Sequence, residues 1–206
     1  SEEILDAQAN SVKLDHKNLF ENFLPFAPMV DKAGVLPETP LTAIASGHIQ
    51  QMPMMAGAVR DEGQFFVYEL FTKKLGKTAY HTALDAIFGM HKAKTIKKMY
   101  PFDLVPGSKD GRDAFNVLAS DLIFKCPLRN VTRGLQNTIG AGTVPIYEYE
   151  MDHVLSFDCW GPKYEFCAPD ESVVCHGSEL PFVFNTFSGG NDENGNPVDY
   201  TPTADA

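Results

Sequence analysis

Pro53-Met54-Met55-Ala56-Gly57-Ala58-Val59-Arg60-Asp61-Glu62-Gly63 carries the reading of the whole chain. Met54 to Val59 is an unbroken apolar run, closed by Pro53 on one side and by the charged Arg60-Asp61-Glu62 on the other. So short a run, without polar alternation, suits a buried strand of a parallel sheet. Glu62 then stands just past the C-terminal edge of that strand, where open α/β sheets gather functional groups. Gly63 would let the chain turn sharply there. Read alone, Glu62 is equally an acid in a first helical turn, favoured by the helix dipole.

Downstream, Gln64 to Leu75 has helical spacing through Phe66, Leu70 and Phe71. Thr78 to Phe88 is a second helix, through Ala79, Leu84 and Ile87, and Thr95 to Met99 a short third, stopped before Pro101. Pro106 to Asp110 is a turn. Arg112 to Phe124 puts Phe115, Leu118, Leu122 and Ile123 on one helical face, and Pro127 is predicted to kink or interrupt it. Val144 to Tyr149, rich in β-branched and aromatic residues, is a second buried strand. Residues 151–178 form a long irregular loop, and Glu179 to Phe184 starts a short apolar segment.

Upstream, Ser1 to Ala9 reads as a helix end and residues 20–41 as a proline-rich loop. Residues 188–206, rich in Gly, Asn, Asp, Pro and Thr, read as a flexible loop or tail. The order strand, helices, strand, loop predicts an α/β fold. Two strands are too few to bury both faces of a sheet. Residues 1–206 are therefore expected to be the C-terminal part of a larger mixed sheet with helical insertions.

The formal net charge of −10 repels phosphates, so neither nucleic acid nor anionic lipid is an expected partner. No apolar run approaches the roughly 18 residues of a membrane span. No secretory leader is legible, which reads as a leader removed or as a fragment. Cys126, Cys159, Cys167 and Cys175 contain no C-x-x-C pair, which disfavours a zinc site and favours disulfides, with connectivity open. Asn130-Val131-Thr132 is a glycosylation sequon. Together these place the chain in the secretory pathway, secreted or held in a vesicle or ER-derived compartment.

The second focus is Cys175-His176-Gly177-Ser178-Glu179-Leu180-Pro181-Phe182. Alone, His176 is an ordinary loop histidine. Paired with Glu62 it is more, because an acid after one strand and a histidine after the next is the chain order of α/β-hydrolases. Four segments, in order, then resemble the type-B carboxylesterase (cholinesterase-like) family. Pro53 to Gly63 is similar to the family's strand and D-E-G segment, and His176 to Phe184 to its H-G-x-E-L-P-x-x-F segment. Phe26-Ala27-Pro28-Met29-Val30-Asp31 resembles F-x-P-x-V-D, and Leu118 to Arg129 resembles the D-x-x-F-x-C-P-x-R helix. The loop with its cysteines before the histidine is more narrowly similar to the esterase-like crystal proteins of social amoebae.

The resemblance implies an α/β-hydrolase fold and a Ser-Glu-His triad, with Glu62 as its acid and His176 as its base. It implies that Phe65 and Phe66 line the substrate pocket; core packing is the alternative. Glu179 and Asp121, near or within family motifs, are read as structural hydrogen-bonders. Cys159 and Cys167 flank Trp160-Gly161-Pro162, which suits a small disulfide loop and leaves Cys126 for Cys175. No metal or organic cofactor is implied.

The family's nucleophile elbow, G-x-S-x-G, is absent from the chain. Losing the nucleophile of a serine triad costs about 10⁶ in kcat. The chain alone is thus expected to be inert and not to fold alone. It would work with an N-terminal companion segment of the same precursor that carries the serine, on a small ester substrate. The rival expectation is a catalytically inactive homologue with an adhesion, storage or crystalline-assembly role.

Overall fold

Strand β1 (Met54–Val59) pairs in parallel with β2 (Ile146–Met151), with Met54 opposite Ile146 and Val59 opposite Met151. This computed structural model describes residues 3–6, 28–31, 34–140, 142–187, 190–191, 195–198 and 202. β1 occupies the residues that the apolar run predicts. β2 begins two residues later than expected; the Met54 N–H donates to the Pro145 carbonyl at 3.1 Å as the first bond of the ladder, and Pro145 has no N–H of its own to pair. The predicted helix end at residues 1–9 is helical over 3–6, and its remaining residues lie outside the described ones.

Between the strands stand four helices: α2 (Glu62–Leu70), α3 (Lys77–Met99), α4 (Gly111–Ala119) and α5 (Cys126–Ile139); α1 (Pro40–Ser46) precedes β1. α2 stops five residues short of the predicted Leu75. Residues beyond Phe71 are held instead by Asp110, whose carboxylate accepts the Leu75 N–H at 3.0 Å, while Leu75 O accepts the Gly111 N–H at 2.7 Å. The second and third predicted helices are two arms of α3, broken at Gly89, where φ is +72°. That left-handed conformation is open to glycine at little cost.

Pro127 does not end the helix. A π turn over Ser120–Lys125 joins α4 to α5, and the Cys126 N–H reaches back to Asp121 O. The wide turn accommodates the ring and missing N–H of Pro127, which sits in the first turn of α5. α5 itself was not foreseen.

Val67, Tyr80, Leu84, Ala93, Ala114, Phe115 and Leu118 form the buried core between α2, α3 and α4. Tyr80 is fully buried and satisfies its hydroxyl on Tyr100 O at 2.7 Å. The sequence led us to expect a sharp turn at Gly63, but the residue lies inside α2. A Cβ there would fall 2.5 Å from Asn116 O and 2.7 Å from the Ala119 Cβ, so Gly63 is where α2 and α4 touch backbone to backbone.

The loop after β2 contains 3₁₀ turns at Pro162–Cys167 and Pro169–Glu171 and leads into α6 (Leu180–Phe184). In the segment predicted as a tail, Gly190–Asn191 (β3) pairs antiparallel with Pro197–Val198 (β4); most of its other residues lie outside the described ones. The larger sheet expected from the sequence is not seen: the described residues give β1 and β2 as one sheet and β3 and β4 as another. Among them no helix is long and apolar enough to cross a membrane.

Candidate active site

The end of β1 directs its backbone to two partners. Arg60 N–H bonds Met151 O at 2.9 Å, and Asp61 N–H bonds Val174 O at 3.0 Å. Successive N–H groups of extended chain face opposite edges, so β2 and the histidine segment flank β1 on either side. An isolated parallel bridge pairs Asp61 with Cys175. The next residues on the two segments are Glu62 and His176.

Glu62 is 5% exposed and sits in the first turn of α2, where the helix dipole favours a negative charge. Its Oε1 accepts the Val59 N–H at 3.0 Å. Its Oε2 lies 2.5 Å from His176 Nδ1, across 114 positions of sequence. With Nδ1 engaged, Nε2 is the nitrogen left to exchange a proton. The His176 side chain is 44% exposed. Its hydrogen bond to Glu62 holds its pKa above the ordinary imidazole value; partial burial pulls the other way, and the charges of Glu62 and Glu179 reinforce the rise.

Aromatic rings frame the imidazole. Phe66 and Phe124 stack on each other, with centroids 5.1 Å and 5.2 Å from His176. Phe65 faces away into a cluster with Trp160 at 5.1 Å and Tyr164 at 4.9 Å. Of the two predicted pocket phenylalanines, Phe66 therefore touches the candidate base and Phe65 packs against the cysteine loop. Asp121 accepts from the Tyr100 hydroxyl at 2.8 Å, as a structural hydrogen-bonder should. Glu179 departs from that expectation: its Oε2 is buried without a hydrogen-bond partner among the described residues.

The disulfide pairing is corrected. Cys167 is joined to Cys175, while Cys126 and Cys159 are free thiols. The 3₁₀ turns fold the loop back so that the Cys167 and Cys175 Cα atoms stand 5.7 Å apart, within disulfide reach. The bond fastens the residue immediately before His176. Asn130 is exposed on α5, and Thr132 of its sequon is buried with its hydroxyl on Glu148 at 2.7 Å. Among the described residues no group of three His, Cys, Asp or Glu side chains could hold a metal ion.

Sequence reasoning missed Asp61, Asn116 and Ser120. Gly63 N–H donates to Ser120 Oγ at 2.9 Å, and Ser120 Oγ–H donates to Asn116 Oδ1 at 3.2 Å. Asn116 Nδ2–H then donates to Asp61 Oδ1 at 3.0 Å. Asn116 and Ser120 are four residues apart and so share one helical face, and that spacing was the available signal.

Glu62 and His176, hydrogen-bonded to each other, stand beside the end of β1, where open α/β sheets gather functional groups. The carboxylesterase family model matches residues 1–203, and the chain belongs to that family. Membership implies an α/β-hydrolase fold. The chain is 35% identical over 188 residues to the Crystal protein of Dictyostelium discoideum, covering 90% of this chain and 32% of that protein. It is 30% identical over 186 residues to the cAMP-regulated D2 protein of the same organism, with 90% and 32% covered. With para-nitrobenzyl esterase of Bacillus subtilis the identity is 28% over 192 residues, covering 92% of this chain and 33% of the esterase. The chain thus spans about a third of the length of the curated relatives it matches.

Proposed function

We propose that this chain supplies the acid and base of a carboxylic ester hydrolase with a Ser-Glu-His triad, and that a preceding segment of the same precursor supplies the serine. The observation that carries the reading is the 2.5 Å contact between Glu62 Oε2 and His176 Nδ1 beside the end of β1. His176 Nε2 takes the proton from the serine hydroxyl as it attacks the ester carbonyl, then returns it to the leaving alcohol. Glu62 fixes the tautomer and stabilises the imidazolium. Water cleaves the acyl-enzyme by the same proton route. Residues 1–206 act as the C-terminal portion of a single α/β-hydrolase domain in the secretory pathway, glycosylated at Asn130. Phe66 forms the wall of the substrate pocket next to the base. Without the companion segment the chain is inert.

A second reading is favoured by one finding, the 35% identity to a relative named for a crystal. It makes the fold an assembly or storage protein that keeps the acid-base pair without turnover. Hydrolysis of a p-nitrophenyl ester by the native protein that carries this chain separates the two. The esterase reading expects turnover that Glu62→Gln and His176→Ala abolish. Turnover indifferent to both substitutions, or no turnover at all, would reject it.

A further inference from the structure

We infer that Asp61 is the positioning residue of the site: its carboxylate sets where the histidine segment stands relative to Glu62. The inference rests on the esterase reading for its kinetic meaning and on the following geometry for its substance. The Asp61 side chain is 14% exposed and accepts from three donors. Oδ2 takes the Val174 N–H at 2.9 Å and Arg60 Nε–H at 2.8 Å. Oδ1 takes Asn116 Nδ2–H at 3.0 Å. Its backbone N–H returns to Val174 O at 3.0 Å, so one residue grips both polar atoms of Val174.

Val174 and Cys175 are fully buried, and His176 follows them directly. Arg60, oriented by Asp61, binds Ser172 O at 2.5 Å and pairs with Asp152, fastening the same segment two residues earlier. On the other side, the Asn116 and Ser120 side chains lead back to the Gly63 N–H. Both chain neighbours of Glu62 are thereby tied into one network, which ends on the segment that presents His176. Three hydrogen bonds, shared between the two oxygens of one part-buried carboxylate, fix its position.

Asp61→Asn keeps the shape but sets its own amide donor against that of Asn116. The swap Asp61→Asn with Asn116→Asp restores every partner. In the swap the side-chain oxygen at position 61 accepts from Val174 and Arg60, and the amide beside it donates to the carboxylate at position 116. The second oxygen of that carboxylate accepts from Ser120. The test compares kcat, KM and the pH profile of kcat/KM in the native protein carrying these variants. A displacement at this level of geometry costs up to about a hundredfold.

The expected result for D61N is a fall in kcat of about ten- to a hundredfold with KM little changed, and recovery in the swap. The acid limb of the profile should also move to lower pH, because the charged groups acting on His176 are Glu62 and Glu179 and the contact with Glu62 is loosened. A lowered melting temperature with kcat and the acid limb unchanged, or a swap no more active than D61N, would overturn the inference. Should D61N not fold, Asn116→Ser, which removes one donor to Asp61, is read by the same criteria. Glu62→Gln and His176→Ala are run alongside. Full activity in those two would defeat the esterase reading itself, whereas their inactivity beside an unimpaired D61N would defeat only the role of Asp61.

Discussion

Gly63 and Asn116 meet so closely that a Cβ on Gly63 would lie 2.5 Å from the Asn116 carbonyl oxygen. The atom in the way is backbone, which a rotamer change cannot move. Gly63→Ala is therefore expected to destabilise the fold by about 1–3 kcal/mol, the usual cost of overpacking. It should also lower activity by pushing Glu62 off His176. Chemical denaturation with an ester assay checks both. A variant as stable as the parent would show that α2 and α4 sit further apart.

Ser120 makes a second prediction at the same contact. It is 1% exposed, and its hydroxyl is the acceptor for the Gly63 N–H. Ser120→Ala leaves that N–H buried and unpaired, at a cost of about 1–3 kcal/mol, read as a lower denaturation midpoint. Replacement without loss of stability would mean the N–H has another partner.

The pH dependence has a definite sign. The hydrogen bond to Glu62, with the charges of Glu62 and Glu179, outweighs burial and raises the His176 pKa. A general base must be neutral, so activity should climb with pH and its acid limb should lie above about 6.5, the ordinary imidazole value. Glu62→Gln should bring the limb back down and cut kcat by about 10³–10⁴-fold. Stability runs the other way. The imidazolium contribution is complete below the unfolded pKa and fades as pH rises through the folded one. Kinetic profiles of the two proteins decide it, and identical limbs would refute the coupling.

The cysteine loop gives a fourth prediction. Non-reducing peptide mapping should find Cys167 joined to Cys175 and no bond at Cys126 or Cys159. Cys159 should alkylate slowly in the native protein, since burial first, and then the charge of Asp158, push its thiol up to about 11. Removing the Cys167–Cys175 bond should cost about 2–3 kcal/mol, the chain-entropy value for so short a loop. A Cys159–Cys167 peptide would contradict this arrangement.

Some of this was legible in the sequence and some was not, for identifiable reasons. β1 was legible because Pro53 and three charged residues punctuate an apolar run. The nearness of Glu62 and His176 was legible from chain order and motif resemblance; the contact that makes it is the parallel bridge between Asp61 and Cys175, on the edge of β1 away from β2. Spacing along the loop could not give the disulfide, because 3₁₀ turns set which cysteines approach. The α4–α5 junction was not legible, because a proline inside a helical pattern signals a break, whereas here a π turn absorbs Pro127. Asp61 stands in the sequence as one letter of a motif, without a task of its own. Its three donors come from α4, from the histidine segment and from its own neighbour, a convergence that exists only in three dimensions.

The central claim is that Glu62 and His176 activate a serine carried by a companion segment. The most direct measurement is the rate at which a fluorophosphonate labels the native protein, with the labelled peptide located by mass spectrometry under reducing, denaturing conditions. The account predicts label on the serine of a G-x-S-x-G peptide outside residues 1–206, with His176→Ala and Glu62→Gln each slowing the reaction at least a hundredfold, roughly the low end of a general-base contribution. No label on the native protein, or label that appears at the same rate in both variants, would contradict it.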